Sequence, residues 1–376
     1  MMRKIAIVLA PLLLLALIEI AFRLGVWEPL AAAQSHAGAS IRLKQRVLDP
    51  SLAKIDFVTL GSSRPEYGID HARIAAEAKS HGYIHANLSM AGSHWMTIGV
   101  LSAWLHEHHP EIRGGIIALA VQDLAWKSNG YYELGIVQPL RTPSGEQWIE
   151  TRNPFDRTQI DSYGSRFALF EWREDVRDFF AHPISRLNLW RKSPDKPDSN
   201  RLFENSELTG DMCHWGLNSL DACARVNAEP DAPAGLKNQC SQIIETLNEM
   251  PDYAELAKQN PVPQFMQETR DLTRRQLREL DWPMPPVVVL MPMPKIWFSN
   301  AHASGWHQWA LDILQPLDAE GSIHLIDATT FFDDQVDGAC SEFADFYHQN
   351  AKGRAALMDS LLPKLDLRLY QAPAKD

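Results

Sequence analysis

The chain has 376 residues, of which 45% are hydrophobic, enough for one large domain with insertions or for two smaller ones. Its formal net charge of -11 at pH 7 argues against a nucleic-acid partner and against a broadly cationic membrane-binding face. We therefore expect a globular protein that binds no nucleic acid.

The N-terminus carries an apolar run from Ile5 to Phe22, with one acid, Glu19, near its far end. A run of this length can just span a bilayer as a helix, and Arg3 and Lys4 before it favour a cytoplasmic N-terminus. We predict a transmembrane signal anchor over residues 1–27 and a linker over 28–50. The protein would then be a single-pass inner (cytoplasmic) membrane protein with its body on the periplasmic or extracellular side.

A cleaved signal peptide is the alternative interpretation of this segment. The small residues "LAAAQ" from Leu30 to Gln34 resemble a cleavage site, although they lie well beyond the apolar run. Under either interpretation, the body of the protein is exported from the cytoplasm.

The next segment, residues 51–126, alternates predicted strands with predicted helices. Three apolar segments are typical of buried parallel strands: 54–63, 83–93 and 114–123, with helical patterns starting at Asp70 and Trp95 between them. This alternation predicts an α/β fold with a parallel sheet. Because ligands bind outside the carboxyl ends of such strands, we expect Ser63, Gly92 and Gln122 to face one crevice.

The strand pattern stops over residues 127–283, which is far longer than an ordinary connection. We predict a mainly helical inserted region here, with a polar loop at 191–200. The sheet pattern resumes in residues 284–376, with strands at 285–294 and 322–329 and a closing helix over about 350–365.

Four cysteines are present, at positions 213, 223, 240 and 340. An even number in an exported chain permits one or two disulfides, but their pairing cannot be predicted from the sequence.

Two short motifs indicate a serine nucleophile. "GSS" at 61–63 follows the first strand, and "DFYH" places Asp345 and His348 three residues apart before the last helix. A serine nucleophile needs a base that takes its proton and a third group that orients the base. On a turn, this spacing lets the carboxylate accept a hydrogen bond from the imidazole.

Taken together, the motifs resemble those of the SGNH (GDSL-like) hydrolase superfamily. Ser63 matches the family's nucleophile, Gly92 in "MAGS" the glycine after the second strand, and Asp345 and His348 the D-x-x-H pair. Two positions depart from the pattern: Ser62 replaces the usual Asp, and Gln122 in "AVQD" replaces the Asn of G-x-N-D. The resemblance covers the chain from about residue 54 to 365, apart from the insertion.

The resemblance implies a three-layer α/β/α fold with a flavodoxin-like parallel sheet. It also implies a catalytic triad of Ser63, His348 and Asp345, and an oxyanion hole formed by the N–H groups of Ser63 and Gly92 with the amide of Gln122. No cofactor is expected. The "GSS" site with an anchor is similar to membrane-anchored proteins that modify envelope polymers, such as the D-alanyl-teichoic-acid transfer proteins and the alginate or peptidoglycan O-acetyltransferases. The implied function is acyl transfer to an envelope polysaccharide or polymer, with a membrane-bound O-acyltransferase as partner.

Other readings stay open at this stage. The protein is alternatively an SGNH carboxylesterase or deacetylase, or a non-catalytic scaffold that binds a polymer or a membrane partner. Ser62 and Ser63 are also good helix caps, and Asp345 could cap the last helix. Arg64 either holds an anionic substrate or is a surface arginine, and Trp297 either stacks on a sugar ring or belongs to the core.

We expect no metal site. The histidine-rich stretch "HEHH" at 106–109 lacks the i, i+4 ligand pair of helical zinc sites and lies at a helix end, where histidines favourably meet the dipole.

Overall fold

The computed structural model describes residues 2–31, 36–48, 54–93, 95–125, 137–145, 148, 167–191, 212–280, 282–333 and 340–369. The first elements are α1 (Met2–Arg23), α2 (His36–Val47), β1 (Phe57–Gly61), α3 (Ser63–Gly68), α4 (His71–Ser80), β2 (His85–Asn87), α5 (Trp95–His108), β3 (Gly114–Leu119) and α6 (Val121–Ala125). Helices follow: α7 (Ala168–Glu171), α8 (Arg173–Ala181), α9 (Pro183–Arg191), α10 (Leu220–Ala228), α11 (Ala234–Glu249), α12 (Tyr253–Ala257) and α13 (Gln264–Arg278). The chain continues with β4 (Val287–Leu290), α14 (Lys295–Ala303), α15 (Trp306–Ala319), β5 (His324–Asp327) and α16 (Ala351–Leu369).

The five strands form one sheet in the order β2-β1-β3-β4-β5, and every neighbouring pair is parallel. The prediction of an α/β fold with a parallel sheet is therefore confirmed. Each strand lies within one of the five predicted segments. The order β2-β1-β3 places the ends of β2 and β3 on either side of the end of β1, where Ser63 lies.

The three central strands, β1, β3 and β4, are buried on both faces, as expected for parallel strands flanked by helices. Residues of one face pack against Ile74 of α4 and against Leu357, Met358 and Leu361 of α16. The alternate residues, which point to the opposite face, are also buried: Val58, Leu60, Ile117, Leu119, Val288 and Leu290. This double burial explains why β1, β3 and β4 are nearly continuous apolar runs in the sequence.

The chain divides into two compact units. One comprises Met1–Ala53, Gly99–Trp104 and Ser128–Lys196, and the other comprises Lys54–Ile98, Leu105–Lys127 and Pro197–Asp376. The region predicted as a single insertion is thus divided between the two units near residue 196. Its described parts contain helices α7 to α13 and no strand, and most of the predicted polar loop at 191–200 lies outside the described residues.

The described secondary structure of the first unit is helical. Ala37 and Ile41 of α2 pack with Trp172, against the partly buried Phe22 and Trp27. The predicted linker over 28–50 therefore contains a packed helix.

Helix α1 covers the predicted N-terminal helix. Within the part of the chain that the structure describes, no helix combines the length and the apolar character that crossing a membrane requires. The membrane crossing stays a prediction from the sequence.

Two disulfides cross-link the second unit. Cys213 pairs with Cys340, and Cys223 at α10 pairs with Cys240 at α11. The first disulfide ties the region before α10 to the segment that leads to Asp345.

Candidate functional site

The candidate nucleophile stands on a sharp turn between β1 and α3. Gly61 ends β1 with φ of 153°, and a side chain there would collide with the carbonyl oxygen of Ala118 on β3 and with the ring of Pro65. Only glycine lets the chain turn this closely against the neighbouring strand. The next residues, Ser62 and Ser63, are thereby presented at the carboxyl end of the sheet.

The two serines have different roles in the turn. Ser62 occupies the N-cap position of α3, but its hydroxyl makes no capping hydrogen bond. The Ser63 hydroxyl lies 2.8 Å from Nε2 of His348. Capping therefore does not account for the side chain of either serine.

His348 connects Ser63 to Asp345. Its Nδ1 lies 2.8 Å from Oδ2 and 3.0 Å from Oδ1 of Asp345. When Nδ1 carries the proton and donates a hydrogen bond to the carboxylate, Nε2 is free to accept a hydrogen bond from the Ser63 hydroxyl. The three side chains form the continuous relay that a serine nucleophile requires.

Asp345 is held in place by the turn that the D-x-x-H spacing predicts. Its Oδ1 accepts hydrogen bonds from the backbone N–H groups of Tyr347 and His348, both at 2.7 Å. The last helix is instead capped by Asn350, whose side-chain oxygen accepts from the Gly353 N–H. Asp345 is therefore an orienting group for His348 and not a cap.

The surroundings of Asp345 lower the pKa of its carboxyl group and so favour the charged form. Burial by itself raises its pKa, but the hydrogen bond and charge of His348, together with the two backbone N–H donors, outweigh burial and hold the pKa below its ordinary value. Asp345 is thus ionised at neutral pH and can stabilise a protonated His348.

Tyr67 packs against the imidazole of His348, edge to face, with ring centroids 5.3 Å apart. Burial, followed by the nearby charge of Glu66, raises the pKa of Tyr67 to about 12. Tyr67 therefore stays protonated at neutral pH and places an uncharged ring against the imidazole of His348.

The proposed oxyanion donors lie around Ser63 at the same edge of the sheet. Gly92 follows β2 in a turn closed by the hydrogen bond from Ser93 N to Met90 O, and its φ of 78° is readily adopted only by glycine. Among the described residues, the N–H groups of Ser63 and Gly92 have no acceptor. Both are therefore available to a substrate oxygen.

Gln122 lies on α6, directly after β3. Its side-chain oxygen Oε1 is buried and makes no hydrogen bond to a described residue. Gln122 thus follows β3, the strand next to β1, and the described residues leave its amide oxygen without a hydrogen bond.

Arg64 and Trp297 are both deep inside the protein. Arg64 is 5% exposed and Trp297 is fully buried. The interpretation of Arg64 as a surface arginine is therefore wrong, and Trp297 has no open face on which a sugar ring could stack.

Glu66 is a site residue that sequence reasoning missed. It is buried on α3, and its Oε2 accepts a hydrogen bond of 2.8 Å from the N–H of Ala91, the residue before Gly92. It therefore fixes the turn that presents the Gly92 N–H. An acid three residues after a candidate nucleophile is a weak sequence signal, because such spacing is common on exposed helix surfaces.

No protein-family profile matches the chain, and no curated protein matches it. The likeness to the SGNH superfamily therefore stays a prediction from the motifs.

Proposed function

We propose that the protein is an exported SGNH-type serine acyltransferase that modifies a cell-envelope polysaccharide or polymer. The observation that carries the proposal is the relay from Ser63 through His348 to Asp345, with both links at 2.8 Å. All three residues belong to the same compact unit.

The first half of the proposed reaction forms an acyl-serine. The Ser63 oxygen attacks an acyl carbonyl carbon while Nε2 of His348 takes the hydroxyl proton, and the negative charge of Asp345 stabilises the imidazolium. The N–H groups of Ser63 and Gly92, with the Gln122 amide, bind the developing oxyanion. The leaving group then departs with the proton that His348 returns to it.

The second half transfers the acyl group. A sugar hydroxyl gives its proton to Nε2 of His348 and attacks the acyl-serine carbonyl, so a new ester forms and Ser63 regains its proton. Water as the attacking group makes the same site a carboxylesterase or deacetylase, and access to the pocket decides between these outcomes.

The membrane anchor is part of the proposal, and its support comes from α1. Leu12, Leu13, Leu14, Leu15 and Leu17 are each more than half exposed. Since consecutive helical residues point in different directions, the stretch from Leu12 to Leu17 presents apolar side chains on every side of the helix, as helices surrounded by lipid or by other proteins do. An anchored enzyme outside the cytoplasm needs an acyl donor there, which a membrane-bound O-acyltransferase partner would supply.

The proposal is tested with the full chain in detergent micelles, incubated with p-nitrophenyl acetate. We expect turnover and an acyl adduct in the intact mass spectrum, and we expect Ser63→Ala to lose both, with kcat falling by more than about 1,000-fold. Ser62→Ala is the matched control, because it removes a neighbouring hydroxyl that makes no capping bond.

Two results would contradict the proposal. One is an adduct that persists in Ser63→Ala. The other is a wild-type protein that is folded by circular dichroism yet forms no adduct and shows no turnover, which would favour the non-catalytic scaffold.

A further inference from the structure

Arg64 is a buried arginine whose terminal nitrogens lack a hydrogen-bond acceptor. Neither Nη1 nor Nη2 makes a hydrogen bond to a described residue, and the side chain is nearly inaccessible to solvent. A buried charge is costly unless it is paired and hydrogen-bonded. The site therefore contains a strong donor for which the described protein supplies no oxygen.

Two aromatic neighbours of Arg64 lie within cation–π distance of its guanidinium. Its Cζ lies 5.7 Å from the ring centroid of Trp297 and 5.8 Å from that of Tyr347. Aromatic faces attract a cation without binding its N–H groups. Trp297 Nε1 is itself buried without an acceptor, so this cluster combines two donor-only groups.

The carboxylates that influence Arg64 are engaged elsewhere. Burial lowers the pKa of Arg64, and the charges of Asp123 and Asp345 oppose that effect, which shows that both acids are within electrostatic reach. Asp123 accepts a hydrogen bond from the N–H of Ala120, and Asp345 is bonded to His348. Neither acid is hydrogen-bonded to Nη1 or Nη2 of Arg64.

Arg64 and its neighbour Tyr347 are each adjacent in the chain to a residue of the proposed catalytic triad. Arg64 directly follows Ser63, and Tyr347 directly precedes His348. We propose that Arg64 binds a carboxylate of the substrate beside the ester that Ser63 attacks. Only the assignment of the carboxylate to a substrate rests on the proposed function. Carboxylate binding itself can be measured without turnover.

Succinate is the probe, titrated calorimetrically into the full-length Ser63→Ala protein in detergent micelles. We expect saturable binding to one site, and a loss of affinity of about tenfold or more when Arg64→Met is added, because hydrogen bonds to charged groups are the strong ones. The neutral diamide succinamide should not bind. Arg73→Met is the matched control, since Arg73 pairs with Asp359 on the surface and lies outside the site.

Thermal unfolding separates a binding role from a structural one. Replacing an unpaired buried cation by methionine should raise the Tm of the ligand-free protein, because no donor is then left without an acceptor. Succinate should raise the Tm of the parent and leave that of Arg64→Met unchanged. A lower ligand-free Tm in Arg64→Met would assign Arg64 to the core and overturn the proposal, as would unchanged succinate affinity or no saturable binding.

Two esters then identify which part of the substrate carries the carboxylate. They are p-nitrophenyl succinate and its neutral methyl ester, assayed with Ser63 intact. If Arg64→Met lowers kcat/KM for the anionic ester alone, the acyl group carries the carboxylate. If both esters respond equally while succinate binding still needs Arg64, the carboxylate belongs to the acceptor polymer. A failed acyl-adduct experiment with retained succinate binding would reject the proposed activity and keep the binding site.

Discussion

At the scale of single residues, Glu66 links the nucleophile helix to the oxyanion loop. Its carboxylate accepts the Ala91 N–H one residue before Gly92, so we predict that Glu66→Ala misplaces the Gly92 donor. Because an oxyanion donor is worth about 3 kcal/mol, partial misplacement should lower kcat by about 10- to 100-fold while KM changes little. Steady-state kinetics with p-nitrophenyl acetate measure kcat and KM separately.

The matched variant Glu66→Gln keeps an oxygen acceptor and should retain most of the wild-type kcat. Glu77→Ala, which removes a partly exposed acid on α4, controls for loss of negative charge. An unchanged kcat in Glu66→Ala, or equal losses in the alanine and glutamine variants, would show that the hydrogen bond to Ala91 does not position the donor.

At the scale of elements, the pairing of β2 with β1 includes a half-buried histidine, His85. His85 Nε2 lies 2.9 Å from Thr59 Oγ1, and burial, followed by the neighbouring His71, lowers the pKa of His85 to about 3. The unfolded chain takes up this proton near pH 6.5, so acidification from 6.5 toward 3 favours unfolding. The contribution of His85 to stability is fully present above pH 6.5 and falls by up to about 1.4 kcal/mol per pH unit below it.

Urea denaturation at several pH values tests whether His85 makes the stability depend on pH. The free energy of unfolding of His85→Gln should depend less on pH than that of the wild type between about pH 6 and 4. His81→Gln changes an exposed histidine at the end of α4 and should keep the wild-type dependence. If the free energy of unfolding of His85→Gln depends on pH as steeply as that of the wild type, the prediction is wrong and His85 is not held in its neutral form by the fold.

At the scale of the whole molecule, the Cys213–Cys340 disulfide closes a segment of 127 residues, whereas Cys223–Cys240 closes one of 17. Loop-closure entropy predicts that the double serine variant of the first pair loses about 2 kcal/mol more stability than that of the second. Because Cys340 stands five residues before Asp345, the first variant should also lose more esterase activity. Chemical denaturation and turnover of the two double variants provide the comparison, and equal losses in both would show that the long cross-link does not stabilise the His348 segment.

Much of the sheet could be predicted because its signal is local. β1, β3 and β4 are apolar at consecutive positions, a pattern that is typical of strands buried on both faces. The D-x-x-H turn is local as well, since Asp345 bonds the backbone of the residues that directly follow it. Such features depend on neighbours within a few residues.

Burial and pairing over long distances were not predictable in the same way. Arg64 looks like a surface residue in the chain, and only the packing of Trp297 and Tyr347 around it makes it a buried cation. The pairing of the cysteines and the division of the inserted region near residue 196 likewise involve segments far apart in sequence.

The sequence by itself determined the parallel α/β pattern, the position of the "GSS" motif after the first strand and the candidate roles of Ser63, Asp345 and His348. The tertiary structure decided that His348 reaches Ser63 across 285 positions of chain, that Glu66 supports the Gly92 turn, and that Arg64 lies unpaired beside both reacting segments. The physical reason is that periodicity and turn chemistry act between near neighbours, whereas a relay or a buried donor depends on which distant segments the packed sheet brings together.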